Sequence, residues 1–339
     1  MKITVRRLAA CLALLPLATF AQSTLFHTTF GSDTTNLASY TPTASSTNWN
    51  IASSKNSTSS GVSGSGLSLV LPSTSSGYVE AQTTFSNAGV TLSNVGDYVT
   101  VTTTFTANSN ILAGTSGGSW LALGLYNSNG SKPLNTLTNT GLDKTKTTAT
   151  TGGTAGWTGY SAVIRSDNAA GNSSGSSALT LRAAQTTGTL TNGAQALSYS
   201  GDGGYNYPVG THLISSNTDA ATGDALTNAG IYTLTYNILL SAANTYTVST
   251  NLYDGNGTAG TNLATLSGTA SGATFLTGPF DGLMIGYRYS ATSAASSLTL
   301  TDVTITSNVA SAVPEPSTYA ALAGLAALGL VAWRRRRAI

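Results

Sequence analysis

Short runs in which apolar and hydroxyl residues alternate, broken by Gly, Ser and Asn, recur from residue 23 to about residue 312. Alternation with period two marks a strand with one buried face. Leu67-Ser68-Leu69-Val70-Leu71 is one such run, and Asp97 to Thr106 is the longest. In it Val99, Val101, Thr103 and Phe105 share one face, while Thr100, Thr102, Thr104 and Thr106 line the other. Trp120 to Tyr126 is nearly continuously apolar, the pattern of a central strand covered on both faces. Ile231 to Leu240 places Tyr232, Leu234, Tyr236, Ile238 and Leu240 on one side; beyond a turn at Ser241–Asn244 the pattern continues through Tyr246, Val248 and Leu252. Leu283–Tyr289 and Leu298–Thr306 close the series. In the last run the apolar parity shifts between Leu300 and Val303, which predicts a β-bulge near Asp302.

No segment of this body keeps a helical period. About a dozen strands predict an all-β fold, a single large β-sandwich or jelly roll spanning residues 22–312. Two sandwiches divided near Gly141–Gly159, a Thr/Gly-rich stretch with Lys144 and Lys146, are the alternative. In the single sandwich the N-terminal run pairs with the closing Leu298–Thr306 run. Ser53–Gly66 is low-complexity Ser/Gly and reads as a loop.

Composition narrows the function more than the fold. Thr (57) and Ser (44) make up nearly a third of the 339 residues, while charged residues are only 8%, against about 25% in an ordinary domain. The net charge of +2 comes from the ends. Setting aside Lys2, Arg6, Arg7 and Arg334 to Arg337 leaves seven Lys/Arg against twelve Asp/Glu, a net of −5. A faintly acidic body with scattered cations excludes nucleic acid, which needs clustered Lys/Arg to displace counterions. The single cysteine, Cys11, lies in the leader, so the body holds no disulfide.

The two ends carry addresses. Residues 1–21 read as a secretory signal peptide: Lys2, Arg6 and Arg7, then the apolar run Leu8–Phe20, then Thr19-Phe20-Ala21 as a small-residue cleavage site. At the other end, residues 313–339 contain Val313-Pro314-Glu315-Pro316, the charge-free run Ser317–Trp333, and the cluster Arg334, Arg335, Arg336 and Arg337. As a helix the run reaches about 25 Å, enough to span a bilayer if Tyr319, Trp333 and snorkelling arginines occupy the interface. The arginines hold that end in the cytoplasm as a stop and anchor.

This constellation resembles the PEP-CTERM sorting tail, named for the Pro-Glu-Pro at Pro314-Glu315-Pro316. The resemblance implies recognition and processing by an exosortase, a membrane-embedded enzyme of Gram-negative bacteria that make exopolysaccharide. The chain is then anchored transiently in the inner membrane before its body passes to the cell surface or extracellular matrix. The body in turn resembles the concanavalin/laminin-G type of jelly roll. The residues that carry this are Asn94-Val95-Gly96-Asp97-Tyr98, Ala122 to Asn127, Gly159-Tyr160-Ser161-Ala162, Gly282 to Tyr287 and Leu300 to Ile305. Such folds commonly bind sugars, and laminin-G-like domains can hold Ca2+; both are implications of the resemblance.

Catalytic patterns are sparse. Jelly-roll glucanases carry Glu-x-Asp-x-x-Glu on one strand to supply two carboxylates. Here Glu80 is the single glutamate before the tail, followed by Ala81-Gln82-Thr83-Thr84. Gly114-Thr115-Ser116-Gly117-Gly118 matches a nucleophile elbow in letters, but a strand follows where the elbow needs a helix. His27 and His212 are the only histidines, and with no cysteine in the body they make no zinc set. No catalytic residue is assigned and no cofactor is required. Asp254-Gly255-Asn256-Gly257 is oxygen-rich, so Asp254 and Asn256 are the candidate Ca2+ ligands; Asp-Gly and Asn-Gly between two strands also spell a plain hairpin turn, the preferred reading. For sugar contact, Trp157, Tyr205 and Tyr207 lie in Gly-rich segments and are the candidate platforms, whereas Trp120 alternates into a strand and reads as core. The expectation is an exported, exosortase-sorted surface or matrix protein, structural or carbohydrate-contacting, with extracellular polysaccharide as partner. The alternatives are an extracellular carbohydrate-active enzyme, either a polysaccharide lyase using Tyr and Arg or Lys or a hydrolase, and a self-associating adhesin.

Overall fold

The computed structural model describes residues 22–30, 49–53, 60–63, 65–71, 77–86, 89–107, 111–112, 119–130, 154, 156–165, 177–182, 212–216, 226, 229–289 and 295–309. The expected signal peptide at 1–21 and the tail at 313–339 lie outside them. Thr24–Ser307 forms one compact unit. Its described residues form fifteen strands: β1 (Ser23–Thr28), β2 (Asn50–Ser53), β3 (Gly61–Ser63), β4 (Gly66–Leu71), β5 (Gly77–Thr84), β6 (Tyr98–Ala107), β7 (Trp120–Asn127), β8 (Thr158–Arg165), β9 (Ser177–Arg182), β10 (His212–Ser216), β11 (Gly230–Ala242), β12 (Thr245–Asp254), β13 (Asn262–Ser271), β14 (Gly282–Tyr289) and β15 (Ser296–Ser307). The strands beyond the expected dozen include short ones, β2, β3 and β10, too brief to show a period.

Two sheets result. The larger runs β13-β12-β11-β6-β15-β4-β3, with β1 paired to β15 as its eighth strand. The smaller runs β10-β9-β8-β7-β14-β5-β2. The ladders among β2 to β15 are antiparallel. Both sheets mix strands from before and after the Gly141–Gly159 stretch, since β6 pairs with β11 and β7 with β8. The core lies between the sheets. The Tyr287 hydroxyl of the smaller sheet donates to the Ser296 carbonyl of the larger at 2.7 Å, and the Tyr160 and Tyr246 rings meet across the gap at 5.9 Å.

The period-two reading accounts for both layers. Val99, Val101, Thr103 and Phe105 of β6 are fully buried, as are Leu234, Tyr236 and Ile238 of β11 to within 1%. β7 sits at the middle of its sheet, and its residues from Trp120 to Tyr126 are buried on both faces. The β6–β15 register shifts between Leu300 and Asp302. This bulge keeps Leu298, Leu300, Val303 and Ile305 all pointing inward and puts Thr301 and Asp302 together on the outside. Thr104 departs from the outward expectation. It is buried, and its hydroxyl donates to Asn256 Oδ1 of the β12–β13 loop at 3.5 Å.

The outer face of the larger sheet is neutral and hydroxylated. Two consecutive rows cross five strands from β13 to β15: Thr265, Asn251, Thr235, Thr102 and Thr304, then Ser267, Ser249, Asn237, Thr100 and Thr306. Thr265 and Ser267 are exposed, and the other eight are half-buried. Some are tied to their neighbours: Asn237 Nδ2 donates to Thr100 Oγ1 at 2.7 Å, and Thr265 Oγ1 to Asn251 Oδ1 at 2.9 Å. Cross-strand pairs of this kind stabilise a sheet by a few tenths of a kcal/mol each, up to about 1 kcal/mol.

Candidate functional site

One end of the larger sheet closes around a cleft. Three segments build it. The first is the β11–β12 hairpin tip, Ala243–Asn244, where Asn244 takes the left-handed conformation at φ 53° that a tight turn demands. The second is the loop before β6. There Asp97 Oδ2 accepts the N–H groups of Ser93 and Asn94 at 2.8 and 2.7 Å, while Gly96 N–H donates to the Leu240 carbonyl at 2.8 Å. Those bonds pin the loop to β11 and leave Val95 64% exposed at the rim. The third is the 3-10 turn Gly272–Thr274 and the chain that follows it. Tyr160, reaching from the smaller sheet, donates to the Thr274 carbonyl at 2.7 Å and accepts the Leu276 N–H at 2.8 Å.

The cleft measures about 340 Å³, the size of a small-ligand pocket. Its floor is aromatic. Phe275, half-buried, stacks on Tyr246 with ring centroids 4.5 Å apart and planes inclined 31°. Tyr160 and Phe280 pack behind them. Leu92, Val95 and Leu240 complete the apolar wall; Thr91, Ser93, Asn244 and Thr277 supply hydroxyl and amide groups around it. Among the described residues no charged side chain lines the space. Burial pushes the Tyr160 and Tyr246 phenols above their ordinary values, so both stay neutral. An apolar floor with an uncharged polar rim suits a neutral ring that has one apolar face and hydroxyls at its edge.

A second polar group sits on the outer face of the smaller sheet and is buried. Glu80 and Gln82 of β5, Tyr126 of β7, Ser161 of β8, Thr180 and Arg182 of β9 and Arg288 of β14 share this face, each at most 5% exposed. Gln82 Nε2 donates to Glu80 Oε1 at 2.7 Å, and the Ser161 and Thr180 hydroxyls meet at 2.7 Å. Arg182 lies 5.9 Å from the Tyr126 ring centre and donates to the Trp157 carbonyl. Burial holds the Tyr126 phenol well above its ordinary value, against the opposing pull of Arg182. Burial also lowers the Arg182 guanidinium, which the charges of Tyr126 and Glu80 counteract. Among the described residues Glu80 is the one carboxylate on this face, so no glycosidase pair is assembled there. Tyr126 and Arg182 stand side by side on it.

The expectation for Trp157 is corrected. It is not an exposed platform but fully buried against this face. Its ring lies over Gly282, where an added Cβ would come 2.5 Å from Cζ3, and 6.0 Å from the Tyr126 ring. The glycine that admits the indole is Gly282 of β14, remote in sequence, while the nearby Gly159 makes room for Leu125 and Tyr126 instead. Tyr205 and Tyr207 lie outside the described residues, as do Val313, Pro314, Glu315, Pro316 and Arg334 to Arg337.

Asp254 ends β12 and Asn256 follows it in the β12–β13 turn. Gly255 and Gly257 adopt φ 92° and 94°, with their N–H groups on the Ile231 carbonyl at 2.8 Å and Thr233 Oγ1 at 2.7 Å. Asn256 Oδ1 already accepts from Thr104. Among the described residues no three His, Cys, Asp or Glu side chains gather as a metal set. His27 pairs with Asp302 at 2.8 Å, His212 stands opposite Thr180 in the β9–β10 ladder, and Trp120 is core at 5% exposure. Sequence reasoning missed Phe275 and Asn244. The one signal was Val95, an isolated apolar residue in the polar turn Asn94–Asp97.

Residues 312–337 match the model of the PEP-CTERM protein-sorting motif, on the segment where the Pro-Glu-Pro, apolar run and arginine cluster stand. Among solved structures the chain is similar to the CBM2 module of an evolved Dit from Lactobacillus casei BL23 phage J-1 (11% identity, 86% of this chain and 98% of that one, TM-score 0.41). It is also similar to lectin II from Ulex europaeus (12%, 85% and 99%, TM-score 0.40). A third is the exoplasmic/lumenal domain of VIP36 in its Ca2+/Man3GlcNAc-bound form (13%, 80% and 88%, TM-score 0.39). A search of curated proteins found no match.

Proposed function

We propose that this chain is an exported, exosortase-sorted protein of the bacterial cell surface or polysaccharide matrix that holds a neutral sugar residue in the Phe275–Tyr246 cleft without transforming it. The sorting motif at residues 312–337 supports the route: a transient stop in the inner membrane, processing by an exosortase, then delivery outward. The observation that carries the binding reading is the stacked aromatic floor under an uncharged hydroxyl and amide rim. A pyranose lays its C–H face on such a ring and turns its hydroxyls to the rim.

Two measurements test the two parts. Fractionation and intact-mass analysis, with and without the exosortase, should show the tail lost and the body outside the cell; a full-length protein kept in the inner membrane under both conditions overturns the sorting part. Calorimetric titration with neutral monosaccharides should give binding that Phe275→Ala weakens at least tenfold. Binding untouched by that change, or none with any neutral sugar, overturns the ligand part.

A polysaccharide lyase is the second reading, favoured by the Arg182–Tyr126 contact. Arg182 would neutralise a uronate carboxylate and Tyr126 would take the proton. A phenol held protonated by burial is a poor base at neutral pH, which places the binding reading first. Release of unsaturated product from an acidic polysaccharide would reverse that order.

A further inference from the structure

We infer that the outer face of the larger sheet is an extended track for the same polymer whose terminal or internal sugar enters the cleft, so that the protein grips a run of neutral sugar residues rather than one. The inference rests on the cleft reading.

Three observations carry it. The first is chemical. The two cross-strand rows of Thr, Ser and Asn present hydroxyl and amide groups about 4.8 Å apart across strands and about 6.8 Å apart along them. Charge on these five strands is confined to one end, at Asp254 and Asp302. A protein partner would call for a buried apolar centre with Trp, Tyr, Met or Arg anchors, and a nucleic acid for clustered cations. Neither stands between the rows. A neutral polyhydroxylated chain is what this surface matches.

The second is an aromatic at each end of the rows. Tyr98 on β6 stands one step beyond Thr100, and Tyr253 on β12 one step beyond Asn251 at the opposite end. Both are half-buried on this face. Strand geometry sets them about 22 Å apart on the diagonal, with hydroxyl groups in between. Rings at both ends can stack sugars while the rows hold the hydroxyls.

The third is continuity. Asn244 and Ala243 form one wall of the cleft. Three residues after Asn244, the Thr247 hydroxyl donates at 2.9 Å on the outer face to Oγ of Ser241, which stands two residues before Ala243. A chain seated over Phe275 therefore leaves the cleft past Ser241 and Thr247 and onto the rows beside Tyr98.

The test is a length series on the full body: neutral gluco-oligosaccharides from glucose to the hexamer, titrated by calorimetry. Affinity is expected to rise at least tenfold with length. Asn237→Lys, at the middle of the rows, and the double change Tyr98→Ala with Tyr253→Ala should remove that gain. All should leave glucose binding and the circular dichroism of the sheet unchanged. Glucose binding with no gain along the series overturns the track and leaves the cleft standing. A gain that survives Asn237→Lys also overturns it. So does a change of sedimentation mass with Asn237→Lys, which would make the face a contact between copies of the protein. No binding by any member of the series overturns the track and the cleft together.

Discussion

Phe275 stacks on Tyr246 at 4.5 Å, and the two rings differ sharply in burial: Tyr246 is 2% exposed, Phe275 half-buried above it. The upper ring is therefore available to a ligand and the lower one fixes it. Phe275→Ala should weaken neutral-sugar binding at least tenfold while lowering stability by only about 1–2 kcal/mol, below the usual cost of a fully buried Phe. Phe275→Tyr should retain binding. Tyr246→Ala should cost about 3–5 kcal/mol and lose binding with the fold. Thermal unfolding beside calorimetric titration separates the two; equal losses of stability at both positions would remove Phe275 from the site.

Trp157 makes a different prediction. Its ring fills the space above Gly282 and beside Tyr126 on the smaller sheet. Trp157→Ala should destabilise by about 3–5 kcal/mol, and Gly282→Ala should be destabilising as well, because its Cβ meets the rigid indole rather than a flexible chain end. Neither should change affinity in the cleft. A Trp157→Ala protein with wild-type unfolding behaviour and weakened sugar binding would return Trp157 to the role of platform.

The layers of this fold were legible because they follow one rule. Alternation put Val99, Val101 and Phe105 inside, and the broken parity around Asp302 announced the bulge. What stayed hidden came from tertiary context. Trp157 between glycines looks the same in sequence whether its ring is exposed or, as here, lies over Gly282 from a distant strand. Glu80 and Gln82 alternate in β5 as if facing water, yet both are buried with Arg182 on the same face. The cleft joins segments around Ser93, Asn244 and Phe275, far apart in the chain, so no local pattern marks it.

The ends of the body meet at His27 of β1 and Asp302 of β15, 2.8 Å apart and both partly exposed. The paired expectation for the N-terminal run holds, as β1 lies beside β15. An exposed pair is worth about 0–1 kcal/mol. His27→Ala should therefore shift unfolding by no more than that. Phe26→Ala, which empties a site 3% exposed against Trp49 at 6.3 Å, should cost about 3–5 kcal/mol. If denaturant unfolding ranked the two changes the other way, β1 would be held by charge and not by packing.

Alkali should open the sandwich from its tyrosines. Burial raises the phenols of Tyr126, Tyr160 and Tyr236 above their ordinary value. The Tyr236 hydroxyl, fully buried, has no hydrogen-bond partner among the described residues. A phenol with a raised folded-state pKa keeps its proton when the unfolded chain has lost it. Its stabilising contribution is complete below the unfolded value of about 10 and is lost as pH climbs beyond it. Each such group removes at most about 1.4 kcal/mol per pH unit in that range. Three together should make unfolding steep above about pH 10, with phenolate absorbance and loss of circular dichroism rising in one transition. Tyr236→Phe should flatten that slope by about one proton and raise stability at neutral pH by about 1 kcal/mol, since it deletes a buried hydroxyl that lacks a partner. Phenolate forming well before the sheet melts would show that these rings are open to water in the folded protein.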